Sequence, residues 1–400
     1  MPRLVRAEQR CGEETIFGGI LLEKVVVLGA TGTIGKVIVK DLVESGIDVV
    51  AADLDETRLM ELERWIGKKI TTTTLNIRDL EATKEVLKQG RVCVNATNYI
   101  FNLDAMKAAS AVGVDVLDLG GLFKMTNEQL KLDAQMKEAN ILAITGMGSD
   151  PGSSNIFCRY GVNLLDSAEE FHIRYGSTSS GATFAFAADT VIDEAVKNAI
   201  AVKNGVLVEI PPLADEEFTH FHKDLGIQKT YSIIHSELAT LPTSFPGVKE
   251  ITYKDTWDPA TIEKIKMLEE LGLVDTSELE DGTVPRRQLV SLLGKVLSRK
   301  EKPVWGKDSL LVEVVGKKNG NDARVRLELL TGYHEEWGVS PTQYATAIPA
   351  SIVSQMLLKG EITEKGVKPP ELCIDPEAFI SYLEKKNVEL YITYSETKKQ

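Results

Sequence analysis

The sequence predicts an α/β protein in two parts, a doubly wound parallel sheet followed by a second α+β domain built on a mixed or antiparallel sheet. Three observations predict it. From Lys24 to Gly146 short apolar runs alternate with amphipathic segments, as parallel βαβ units do. A glycine-rich turn, GATGTIG, follows the first of those runs. After Gly152 the strand-like runs come in closer succession with few helical segments between them, the rhythm of antiparallel pairing. A length of 400 residues also exceeds what one hydrophobic core usually organises, so two domains are expected.

Taken in order, the strands of the first part are KVVVLG (24–29), DVVAAD (48–53), ITTTTL (70–75), RVCVNA (91–96), VDVLDL (114–119) and ILAITG (141–146). Between them TIGKVIVKDLVESG, ETRLMELERWIG, DLEATKEVLKQG, FNLDAMKAASAVG and TNEQLKLDAQMKEA space their apolar residues for one helix face, and several close on Gly. In the second part EEFHIRYGS, ATFAFA, GVLVEIP, EEFTHFH, KTYSIIHS and VKEITYK read as strands, with helices over 260–272 and 286–298. SLLVEVVGKK and ARVRLELLTG then pair through an Asn319–Gly320 turn. A long helix follows from Ser340 to Leu358, with Pro349 inside it. The segments are therefore 1–23, an extension without periodic pattern, then 24–150, 151–338 and 339–400.

Composition removes several classes of function. With 46 Lys and Arg against 59 Asp and Glu the net charge is −13, which repels nucleic-acid backbones and anionic membranes. Cys11, Cys93, Cys158 and Cys373 are too scattered for a metal knuckle, so no metal is expected, and their sparsity suits a reducing compartment. The early apolar run Ile16–Leu22 follows Glu13 and Glu14 rather than a basic flank, unlike a signal peptide. No run approaches the ~18 apolar residues of a membrane span. A cytoplasmic location follows by exclusion.

GATGTIG, residues 29–35, sits between a predicted strand and a predicted helix, the context of a Rossmann-type dinucleotide turn. Gly29 permits the turn, Gly32 lets backbone approach a pyrophosphate, and Gly35 brings helix and strand together, while Thr31, Thr33 and Ile34 supply backbone N–H groups. Asp53 ends the second strand, 18 residues after Gly35. Its carboxylate would accept hydrogen bonds from a ribose and repel a 2′-phosphate, which favours NAD(H) over NADP(H), although Arg58 nearby tempers that discrimination and Asp55 competes for the role.

In an open parallel sheet the ligand lies beyond the carboxyl ends of the strands. Of the residues placed there, Asn95, Ala96, Thr97, Pro151 and Asn155 are assigned to the cofactor, and Asn98 and Gly121 to the substrate. GMGSDPGSSN (146–155) also marks a helix start at the domain crossing.

VNATNYIFN, GVDVLDLGGLF, GMGSDPGSSN, HSELATLP and IPASIVSQMLLKGEI followed by GVKPPE together resemble the saccharopine dehydrogenase family, including its lysine 6-dehydrogenase branch, from about residue 24 to the end. The resemblance implies that helices beyond about residue 340 return to the dinucleotide domain, that the second domain mediates a homodimer, and that hydride moves at a C–N bond of lysine or a lysine-derived amine. The substrate would then be a small amino acid. Amine oxidation needs a group that takes a proton from nitrogen. Asp118, beside Gly120 and Gly121, and His235 with Glu237 in YSIIHSELATLP are the candidates. Each also fits a duller role: a turn-capping carboxylate, a hydrogen-bonded strand histidine, a first-turn helix acid. Arg174 in FHIRYGS is the candidate for a substrate carboxylate. The alternatives are a reductase that builds saccharopine- or carboxynorspermidine-like secondary amines from imines, and a non-catalytic dinucleotide sensor.

Overall fold

The computed structural model describes residues 23–179, 187–297 and 304–397. The N-terminal extension up to Leu22, the predicted ATFAFA strand except its last residue, and Cys11 lie outside the described residues. Strands run β1 (Lys24–Leu28), β2 (Asp48–Asp53), β3 (Thr71–Thr74), β4 (Val92–Asn95), β5 (Asp115–Asp118), β6 (Leu142–Ile144), β7 (Ser167–Ser177), β8 (Ala199–Lys203), β9 (Val206–Ile210), β10 (Glu217–His220), β11 (Ile227–Ser232), β12 (Glu250–Thr256), β13 (Lys307–Lys318), β14 (Asn321–Gly332), β15 (Gly366–Lys368) and β16 (Glu389–Thr397).

The first sheet has the order β15-β6-β5-β4-β1-β2-β3. All its pairings are parallel, so crossover helices cover its faces. Each of the six predicted strands is present. The order reverses between β1 and β4, which opens a crevice at their carboxyl ends, where dinucleotides bind in such sheets. Asp55, not Asp53, caps the Glu56–Ile66 helix, accepting from the N–H groups of Thr57 and Arg58. TNEQLKLDAQMKEA does not form one helix but spans two, Leu122–Leu130 and Asp133–Glu138.

The second sheet runs β10-β11-β12-β7-β13-β14-β16, with β8 and β9 attached through β12. It is mixed, because β12 pairs with β7 in parallel while the other pairings are antiparallel. Asn319 and Gly320 turn between β13 and β14 with φ of +53° and +79°, values that suit a tight hairpin. Two elements of this part escape the sequence pattern, the Ala188–Val196 helix and β8.

One continuous apolar core joins the two parts: Val25 and Val27 of β1, Phe157, Phe171 and Ile173, Val312 and Ile352 all belong to it. The Ser153–Leu164 and Pro341–Leu358 helices carry that core from one sheet to the other. The latter helix returns to the first domain, where Ser351 meets Asp41. The segment after residue 339 is nonetheless divided, since β15 extends the first sheet and β16 pairs with β14 in the second. Among the described residues no helix is long and apolar enough to cross a membrane, and Cys93, Cys158 and Cys373 are buried free thiols.

Candidate active site

The GATGTIG turn is built by close backbone contacts. Gly29 has φ of +74°, and a Cβ there would lie 2.8 Å from the Ala96 carbonyl oxygen. At Gly35 a Cβ would lie 2.1 Å from the Gly29 carbonyl oxygen, so only glycine lets the helix start against the strand. The N–H groups of Thr33, Ile34 and Gly35 make no hydrogen bond among the described residues, and the buried Thr31 hydroxyl has no partner. Unpaired helix-start N–H groups and an orphaned hydroxyl around a bare turn fit a pyrophosphate. Asp53 borders the same turn, accepting from Thr31 N–H at 2.9 Å and Leu54 N–H at 2.7 Å. Arg58 donates to the Thr31 carbonyl at 2.7 Å. Ile34 itself points into the core.

Several residues chosen from the sequence have their polar atoms committed elsewhere. Asn95 is buried, donates to Asn102 at 2.9 Å and accepts from the hydroxyl of Thr97 at 2.6 Å, contacts that shape the turn after β4. Asn155 closes a capping box with Gly152 N–H at 3.0 Å and donates to Glu371 at 2.9 Å, within a buried network. Asn98 accepts from Ile100 N–H and touches Asp189 at 3.5 Å, and Gly121 donates its N–H to Ser236 at 3.2 Å.

Asp118 accepts from Gly120 N–H at 2.8 Å, Gly146 N–H at 3.1 Å and the Gln129 amide at 2.6 Å. Burial raises its pKa to about 6 against the lowering effect of those donors. It therefore pins the ends of β5 and β6 together, the turn-capping role. Arg174 corrects a second expectation. Its side chain is on the sheet face opposite to Tyr175, and Glu217 takes two of its nitrogens at 2.6 and 3.1 Å while Thr252 takes the third at 2.9 Å. Its guanidinium is thus paired within the second sheet, on the face opposite to Tyr175.

His235 and Glu237 do come together. Glu237, 0% exposed, accepts from Nδ1 of His235 on one oxygen and from the Ser154 hydroxyl at 2.7 Å on the other. That contact fixes the ring, and Nε2 makes no hydrogen bond among the described residues. The imidazole lies flat on Tyr253, centroids 3.8 Å apart and planes 2° from parallel. Tyr253 in turn donates its hydroxyl to Asp150. Burial by itself lowers the His235 pKa, but the Glu237 carboxylate outweighs it and carries the value up to about 9. Asp150 is pushed up to about 7 by burial.

This group sits at the crevice. Ser236 hydrogen-bonds to Gly121 just beyond β5, and Pro151 packs where a Cβ on Gly120 or Gly146 would meet it at 3.0 and 2.7 Å. Sequence reasoning passed over Tyr253, Ser154 and Glu194. The alternation of VKEITYKD, which puts Tyr253 on the face of Ile251, was a signal for the first; Glu194 lay in the helix that the pattern missed.

Comparison with known proteins now adds to the geometry. Residues 25–144 match the family description "Saccharopine dehydrogenase NADP binding domain" and residues 148–388 match "Saccharopine dehydrogenase C-terminal domain". The chain belongs to the saccharopine dehydrogenase family. Membership in the saccharopine dehydrogenase family makes it an oxidoreductase with a nicotinamide dinucleotide cofactor. The chain is 25% identical to a carboxyaminopropylagmatine dehydrogenase of Synechocystis over 388 residues, covering 90% of this chain and 95% of the relative. It is 25% identical to a carboxynorspermidine synthase of Vibrio cholerae over 341 residues, covering 78% and 80%. The saccharopine dehydrogenase family fold is also that of the L-glutamate-forming saccharopine dehydrogenase of Saccharomyces cerevisiae, with TM-score 0.71 and 15% identity over 94% of this chain and 100% of that one.

Proposed function

We propose that this protein transfers hydride between a nicotinamide dinucleotide and the C–N bond of a secondary amine that joins an amino-acid carbon skeleton to an amine component. The observation that carries the reading is His235: a ring held by Glu237, with Nε2 making no hydrogen bond among the described residues, at the carboxyl ends of β5 and β6. The relatives named above act on amine-derived compounds, which supports a C–N substrate over an alcohol.

When bound, the dinucleotide supplies or accepts the hydride. The chain handles the proton. Imine plus hydride plus one proton gives the amine, so a donor must reach the nitrogen. With its pKa at about 9, His235 is an imidazolium near neutrality and can deliver that proton from Nε2, while Glu237 keeps the ring oriented and charged. In the opposite direction the neutral ring accepts the proton that an alkylammonium must lose before hydride leaves. The site therefore favours amine formation near neutral pH and amine oxidation in alkaline solution.

For the cofactor, NAD(H) is the form proposed, because the Asp53 carboxylate borders the turn where a 2′-phosphate would sit. Arg58 on the Thr31 carbonyl is the feature that speaks for a phosphate. Absorbance at 340 nm with NADH and NADPH in turn, an amino-acid semialdehyde and an amine tests the reductive reading. NAD with lysine, followed by ammonia release, and with saccharopine, followed by glutamate release, tests the oxidative one. His235→Ala and Glu237→Gln are expected to lower turnover about 10²- to 10⁴-fold with little change in dinucleotide affinity. Turnover within threefold of wild type would remove His235 from the chemistry.

A further inference from the structure

GVKPPE leads from β15 into the Pro370–Cys373 helix, with Pro369 at its cap and Pro370 at its first position. Glu371 follows in that first turn, and it is 2% exposed. Glu is rarely buried unless its oxygens are engaged. Here both are: Oε2 accepts from the Asn155 amide at 2.9 Å and Oε1 from the Ser244 hydroxyl at 2.8 Å. Arg159 donates to the Glu371 backbone carbonyl at 2.9 Å, which ties this turn to the Ser153–Leu164 helix a second time. We propose that Glu371 is a positioning residue for His235: it staples the two segments that hold Glu237, and Glu237 holds the ring. This rests on the proposed role of His235 and adds the part that aims it.

The first segment is the start of the Ser153–Leu164 helix. A carboxylate only accepts, so Asn155 must turn its NH2 toward Glu371 and its Oδ1 toward the helix start, where it accepts from Gly152 N–H at 3.0 Å. The neighbouring Ser154 hydroxyl has one hydrogen to give. Asn155 Oδ1 lies 3.3 Å from it and Glu237 Oε1 2.7 Å, and the nearer, charged acceptor takes it. The second segment is the Glu237–Ala239 turn with the Leu241–Ser244 helix after it. Ser244 N–H donates to the Thr240 carbonyl at 2.9 Å and Thr240 N–H to the Glu237 carbonyl at 3.1 Å, so a hold on Ser244 is a hold on Glu237. The Thr240 hydroxyl also takes the Asn155 amide at 3.3 Å. The two segments meet at Glu237, and Glu371 spans them.

Aim matters because the last torsion of a Glu side chain is soft. With Ser154 on Oε1 the Glu237 carboxyl plane is fixed, and Oε2 meets Nδ1 of His235. Loss of the Glu371 acceptors frees the Asn155 amide to turn, the Ser154 hydroxyl to follow its oxygen, and the Glu237 carboxyl to swing. Nε2 then points at the reacting nitrogen for less of the time, and a small misplacement of a reacting group costs up to about 10²-fold in rate.

NMR of the full-length protein with isotopically labelled histidine at pH 7 tests this, through the low-field resonance of the Nδ1–H proton bonded to Glu237, which His235→Ala removes. Glu371→Met keeps the volume and discards the acceptors. It is expected to speed exchange of that proton with water at least about tenfold and to lower turnover about 10- to 100-fold, with dinucleotide affinity within about threefold of wild type. Glu371→Gln should keep both exchange and turnover within about threefold of wild type, since its amide oxygen still accepts from Asn155 while its NH2 donates to the Ser244 hydroxyl. If Glu371→Met does not fold, Ser244→Ala, which removes one arm of the staple, should speed the same exchange at least about threefold. Wild-type exchange in folded Glu371→Met, or in Ser244→Ala where the first variant is unfolded, overturns the proposal, as does loss of the resonance in Glu371→Gln. Exchange is read without turnover: a proton that responds as expected in a protein that reduces no imine and oxidises no amine refutes the proposed reaction and leaves the staple standing.

Discussion

A carboxylate at the end of β2 does two jobs at once. Asp53 holds the glycine turn through Thr31 N–H and, on the proposed reading, faces the adenosine ribose. Asp53→Ala is therefore expected to reduce the kcat/KM preference for NAD(H) over NADP(H) by about tenfold or more, the worth of one charge-assisted hydrogen bond. An unchanged ratio, or a wild type that prefers NADPH, would count against the assignment. His235 gives a pH signature. Its pKa is raised, so the proton is present below about 9 and lost above it. Reductive turnover should fall, and oxidative turnover rise, as pH passes through about 9, and His235→Ala should erase that limb. Residues of the glycine turn were legible from sequence because their role is imposed by the backbone. Asp118, Asn95, Asn155 and Arg174 were placed at or near the right end of the fold, but each has its polar atoms engaged by other parts of the chain. Sequence shows that a polar side chain is present; only packing shows which lone pair remains open.

Helices and strands of the first domain could be read because each spans a full period of its pattern and ends on a strong stop. Elements that failed are short or leave no such pattern: β15 has three residues, and β16 is exposed along most of its length. The tie between the Gly35–Glu44 helix and the C-terminal helices is likewise invisible in sequence. Asp41, 3% exposed, accepts from Ser351 at 2.6 Å and from Lys386 at 2.7 and 2.9 Å, across more than 300 residues. Asp41→Ala leaves a buried hydroxyl and a half-buried ammonium without their acceptor. A loss of roughly 2–4 kcal/mol in stability is expected, measured by denaturant unfolding, with dinucleotide affinity retained in the folded protein. A change under 0.5 kcal/mol, the usual range of a surface substitution, would show that the tie contributes nothing.

At the scale of the whole molecule β16 is the last strand of the second sheet among the described residues, and its Tyr391, Ile392 and Tyr394 are 40–45% exposed. We propose that a second copy of this chain covers these three apolar side chains, since a twofold axis brings the same patch of each copy together. Sedimentation should show twice the chain mass, and the double substitution Ile392→Asp, Tyr394→Asp should yield monomers; a wild-type monomer at micromolar concentration would sink the idea. The placement of β15 reaches further, into the order in which the chain is made. β6 ends at Ile144, while its outer neighbour begins only at Gly366. At ribosomal speed the intervening stretch takes about 10–45 s to emerge. For that interval the nascent dinucleotide domain exposes an incomplete sheet edge, and a transcript cut short before residue 366 should yield a protein that aggregates instead of one that merely lacks a tail.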